Sequence, residues 1–101
     1  MPRPAVEWFA EQMEKKLKRD DESKTPWETQ ADSMKNFYRG LVDEVLELHA
    51  AMCACMDAPT PEAAHAVVME AADVGNFAMM IAALHNRSMM ALNRGKTKER
   101  V

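Results

Sequence analysis

The chain is poor in the residues that build tight turns, covalent bridges and sheets. Glycine occurs three times in 101 residues, and aromatic residues make up 6%. Little turn chemistry is therefore available for an all-β fold, and the alanine- and methionine-rich remainder favours helix. The two cysteines, Cys53 and Cys55, lie in a helical stretch and point about 200° apart there. They cannot readily bridge each other and are expected to be reduced, buried and cytosolic. Positive charge is outnumbered and unevenly placed. The formal net charge is -3, and no lysine or arginine occurs between residues 41 and 86, which argues against nucleic-acid binding. No stretch is expected to approach the roughly 20 apolar residues of a membrane span. Met1-Pro2-Arg3-Pro4 lacks the apolar core of a secretory signal, so a cytoplasmic protein without a membrane partner is expected.

What is present points to an all-α protein of long antiparallel helices. Val6, Phe9, Met13 and Leu17 recur at helical spacing and predict a first helix over residues 4–18. Pro4 lies in its first turn, and Trp8 beside the stripe is assigned to core or interface. The polar residues 19–24 read as a loop. Thr25-Pro26-Trp27-Glu28 has the form of a capped helix start, so a second helix is expected over residues 26–57. Its stripe is Met34, Phe37, Leu41, Val45 and Leu48. Gly40 within it is expected either to admit a neighbouring backbone or simply to be tolerated. Thr60-Pro61-Glu62 opens a third helix, predicted to reach residue 86 and at most residue 93, with Gly95 marking its end. Residues 1–93 thus form one domain, and residues 94–101 a basic, flexible tail. The Gly95-Lys96-Thr97 run is no P-loop, because the first glycine of that motif and its strand are missing.

The third helix is apolar on most sides, which places it at the centre of a bundle. One chain of this length has too few helices to surround it, so a second copy is implied. Ten methionines fit either faces shared with another copy or ordinary core filling.

The residues that carry chemistry are acids set among apolar neighbours. Glu44 and Glu47 lie one turn apart, about 60° from each other, with Asp43 on the flank. Glu70 and Asp73 repeat the three-residue spacing on the next helix. Carboxylates gathered on apolar faces repel and lose hydration, and no lysine or arginine between residues 41 and 86 offsets that. A divalent metal is the economical solution. An oxygen-only ligand set selects magnesium, with manganese able to substitute. Such sites bind substrate phosphates, and activated water can attack phosphorus there.

The two acidic groups resemble the paired motifs of the MazG-like, all-alpha nucleoside triphosphate pyrophosphohydrolases, E-E-x-x-E on one helix and E-x-x-D on the next. Here they read Asp43-Glu44-x-x-Glu47 and Glu70-x-x-Asp73. The run from Glu70 to Met80 is similar to small phage-type members, and the likeness covers most of residues 5–85. Asp43 departs from the usual glutamate. The resemblance implies metal ligation by Glu44, Glu47, Glu70 and Asp73, with Asp43 as an outer-shell group or general base. It implies magnesium-dependent cleavage of (deoxy)nucleoside triphosphates to monophosphate and pyrophosphate, with water attacking the alpha phosphorus. It further implies a homodimer or homotetramer, located in the host cytoplasm if phage-encoded. The base and sugar stay open, dGTP among them.

A triphosphate also needs cations and a platform. Lys16 and Lys24 align with the family pattern as phosphate contacts. Trp27 is a candidate for base stacking, and Asn76 for a hydrogen bond to sugar or phosphate. Two rivals compete with this reading. A di-iron bundle needs Glu-x-x-His on each of two helices, and only Glu62-x-x-His65 matches. A non-enzymatic helical adaptor would bind a basic partner through the same acids.

Overall fold

The computed structural model describes residues 2–23 and 34–99. They form three helices: α1 (Pro4–Ser23), α2 (Met34–Asp57) and α3 (Pro61–Glu99). No strand occurs among the described residues, so the chain is all-α as expected. Both α1 and α2 pack against α3, α2 the more extensively.

The helix starts follow the sequence signals. The Arg3 carbonyl accepts hydrogen bonds from Val6 and Glu7 at the start of α1. At α3, the Ala63 amide donates to Thr60 Oγ1 at 3.0 Å, Pro61 takes the first helical position, and Glu62 sits in the first turn, next to the positive end of the dipole. The expected start of α2 at Pro26 lies outside the described residues.

Two helix ends differ from expectation. Helix α1 continues through the polar stretch assigned to a loop and ends at Ser23. That stretch contains neither proline nor glycine, and once a helix has nucleated each added residue costs little. Helix α3 runs past Gly95 to Glu99. Gly95 ends a helix by adopting a left-handed conformation, and no glycine has positive φ here. Residues 94–99 thus continue α3.

The core is small. Phe37, Met80 and Leu84 are buried, with Leu17, Phe77, Met79 and Ile81 packed around them. Gly40 is neither a backbone contact nor an idle position. The edge of the Phe77 ring occupies the space a Cβ would need. Gly75 does the same on the α1 side, where a Cβ would come within 2.9 Å of the Phe9 ring. These two glycines make room for aromatic rings between helices. Trp8, assigned to core or interface, is exposed in the single chain.

Much apolar surface is left over. The accessible area is 7747 Å², against roughly 5,800 Å² for a compact monomer of this mass. The radius of gyration is 17.1 Å, against about 13 Å for a compact domain of this length. Val67, Val68, Met69 and Val74 on α3 are only half-buried. The expectation that no segment is apolar enough to span a membrane is corrected. By length and composition alone the segment Pro61–Asn93 qualifies, with mean hydropathy 1.5 in its best window, because Met, Ala, Val and Ile follow one another there with few charges between them. Glu70 and Asp73 interrupt this segment; Glu70 belongs to the cluster described below, and Asp73 adjoins it.

Candidate metal-binding site

Helix α2 turns Gly40, Glu44 and Leu48 toward α3 at intervals of four residues, which places a carboxylate in the middle of its packing face. Glu47 follows one turn on, at the edge of that face. Glu70 meets them from α3. One carboxylate oxygen from each of Glu44, Glu47 and Glu70 lies within 4.8 Å of the other two. Glu44 and Glu70 are half-buried and Glu47 is exposed.

The electrostatics of this group are unfavourable without a cation. Glu44 Oε2 and Glu70 Oε2 are buried with no hydrogen-bond partner. Burial, then the Asp73 charge, then contact with Glu47 and the charge of Glu70 push the Glu44 carboxyl from 4.5 up to about 7. Glu70 is also raised, first by burial, then by Glu47 and Asp73, with Lys16 acting in the opposite sense. Orphaned, half-buried carboxylate oxygens converging from two helices are a donor set that suits a hard divalent ion.

Asp73 adjoins the cluster, but its carboxylate is engaged elsewhere. Lys16 Nζ of α1 lies 3.1 Å from Asp73 Oδ2, both side chains largely covered. The cation that residues 41–86 lack therefore arrives from α1. It offsets part of the repulsion and leaves the Glu70 carboxyl raised all the same. Lys16 was expected on phosphate; in this state it neutralises an acid.

Asn76, expected at sugar or phosphate, is 4% exposed. Its Nδ2 donates to the Met13 carbonyl at 3.1 Å and ties α1 to α3 beside Asp73. Its Oδ1 is buried without a partner. Asp43 is exposed and stands apart from the three glutamates, lining a shallow hollow with Tyr38, Arg39 and Val42. Lys24 and Trp27 lie outside the described residues. Glu62 and His65 are exposed at the start of α3, away from the cluster.

The sequence offered no sign of two further contacts. Tyr38 OH and His85 Nε2 share a hydrogen bond of 2.6 Å between α2 and α3. Cys53 and Cys55 are both free, as expected, but Cys53 is exposed rather than buried, because its position on α2 faces away from α3. It lies 3.6 Å from His49 Nε2.

Fold and site together define an all-α protein with a carboxylate cluster held between two helices. Comparison with protein-family models, curated proteins and solved structures gives no match to the chain.

Proposed function

We propose that the chain is a MazG-like pyrophosphohydrolase, cleaving (deoxy)nucleoside triphosphates to the monophosphate and pyrophosphate with magnesium held by Glu44, Glu47 and Glu70. The observation that carries the metal reading is the pair of buried, unpartnered oxygens of Glu44 and Glu70 facing the Glu47 carboxylate. The reaction rests on the paired acidic motifs in the sequence.

When bound, the ion supplies charge stabilisation to phosphate oxygens and acidifies water at the site. The chain's own residues do the rest. Glu44 and Glu70 give the site its negative charge in half-buried positions. Glu47, exposed at the mouth, can take a proton from water. Lys16 can exchange Asp73 for a phosphate oxygen by rotating its flexible stem, which frees Asp73 for the metal. Asn76 Oδ1 has an accepting lone pair unused. Asp43, one helix position from Glu44, can hold an outer-shell water.

The helices are read as an antiparallel bundle completed by a second copy, as homodimer or homotetramer, in the cytoplasm. The surface in excess of a compact monomer, roughly 1,900 Å² per chain, supports association, since stable interfaces of obligate oligomers cover that order of area. The adaptor reading draws on the Lys16–Asp73 pair, in which an ammonium group already serves the acids.

Incubation with each (d)NTP and magnesium, followed by product separation, decides between the two. Monophosphate plus pyrophosphate is expected, and Glu47→Gln and Asp73→Asn should each abolish turnover with helical content intact. Diphosphate plus phosphate would mean a different bond is cut. No product with any nucleotide would leave the adaptor.

A further inference from the structure

Helix α2 has a second patterned face that the other described helices leave largely exposed, touching it only at Tyr38, whose ring stacks on His85. Tyr38, Val42, Val45, His49, Met52 and Met56 follow one another at alternating intervals of four and three residues, the spacing of a coiled-coil seam. At about 100° per residue all six fall within about 40° of one line, roughly 120° around from the side that meets α3. His49 is exposed, and the other five are between 44% and 81% exposed.

The charges of α2 are divided between its two ends. It has no base in its last turn; Lys35 and Arg39 lie in its first described turns and Asp57 at its end, where the carboxylate meets the like-signed pole.

We propose that this seam pairs with the same seam of a second copy, antiparallel about a two-fold axis near residue 47. The inference rests on the reading that copies of the chain associate, and it names the face and the direction. Tyr38 then lies opposite Met56 of the second copy, Val42 opposite Met52, and Val45 opposite His49. Lys35 and Arg39 come beside the second copy's Asp57 at both ends of the pair, so opposite charges meet there and the C-terminal end of each helix gains the cations it lacks. Parallel pairing would place the two basic ends together.

Shape agrees with charge. The hollow of about 340 Å³ lined by Tyr38, Arg39, Val42 and Asp43 faces the place where Met56 of the second copy arrives. Met56 is 81% exposed, and a flexible thioether fills irregular space well. The seam with Leu46 exposes on the order of 600 Å² per copy, so pairing removes about 1,200 Å² in all, the lower bound for a specific interface. Glu44 and Glu47 point to other sides of α2, so the carboxylate cluster stays open.

Sedimentation equilibrium of the intact chain, with and without magnesium, tests this. A mass twice the 11.4 kDa of the chain is expected. Arg39→Asp and Asp57→Arg should each weaken association by about tenfold, as loss of a close interfacial charge pair does. The double variant should recover most of that loss. Val45→Glu at the centre should abolish the dimer while circular dichroism shows the helices intact. A monomer at every concentration would remove both this interface and the association reading. A dimer indifferent to the single charge reversals, or a double variant weaker than either single one, would remove the antiparallel seam and leave association standing.

Discussion

Replacing Glu70 by glutamine should stabilise the metal-free protein, which is unusual for a change at a half-buried position. Two carboxylate oxygens within 4.8 Å of each other repel by at least about 3.5 kcal/mol at an effective dielectric of 20 and about 1 kcal/mol in bulk water. Glu47 is exposed, so its pairing with Glu70 falls at the lower end. The Glu44–Glu70 pairing is more sheltered and falls between the limits. At about pH 8 Glu44 is mostly charged, so relief of both repulsions, less the cost of burying an amide in place of the carboxylate, comes to about 1–2 kcal/mol. For a domain of this length that corresponds to a rise in Tm of about 5–10 °C. Melts followed by circular dichroism in chelator and in excess magnesium provide the assay. The wild type should gain stability on adding magnesium, and Glu70→Gln should gain much less. A variant that melts lower than wild type in chelator would refute the reasoning, because it would make Glu70 a structural partner rather than an uncompensated charge.

Acidity should act in the same direction. Glu44 keeps its proton up to about pH 7, against 4.5 for an unperturbed glutamate. Between those values the folded state binds more protons than the unfolded one, so this contribution is full below about 4.5 and is lost as pH rises through about 7. In chelator, Tm at about pH 5.5 should exceed that at about pH 8, while magnesium affinity, measured calorimetrically, should fall on acidification through 7. Lys16→Met should tighten magnesium binding alone, by freeing Asp73, and raise KM for triphosphate; calorimetry and steady-state kinetics together read the two effects. Gly40→Ala should lower stability by about 1–3 kcal/mol through overpacking against Phe77, seen in denaturant titration at unchanged metal affinity.

Periodicity made the helices legible, because apolar residues at three- and four-residue spacing determine both helix type and packing face. The joint between α2 and α3 was equally plain, since Thr60, Pro61 and Glu62 each act locally. The ends of α1 and α3 were not. A polar run and a lone glycine can stop a helix only if another conformation offers more, and nothing local says whether it does. At the site, the Glu44–Glu47–Glu70 group could be read because two helices joined by a short turn must lie side by side. Lys16 with Asp73, and Asn76 with Met13, depend on how α1 seats on Gly75, a contact between residues far apart in the chain and invisible to spacing. Tyr38 with His85 is of the same kind.

The length of α3 has a consequence of its own. At 39 residues it extends about 58 Å, yet every described side chain from His85 to Asn93 is exposed. Beyond Leu84 the helix holds His85 against Tyr38 of α2 but buries no side chain through Asn93, and a segment that short has little intrinsic helicity in water. Its backbone order is inherited by propagation from the packed half. Amide hydrogen exchange should therefore quicken steadily from Leu84 toward Glu99, like a rope fraying away from its last knot, unless another molecule grips the free end.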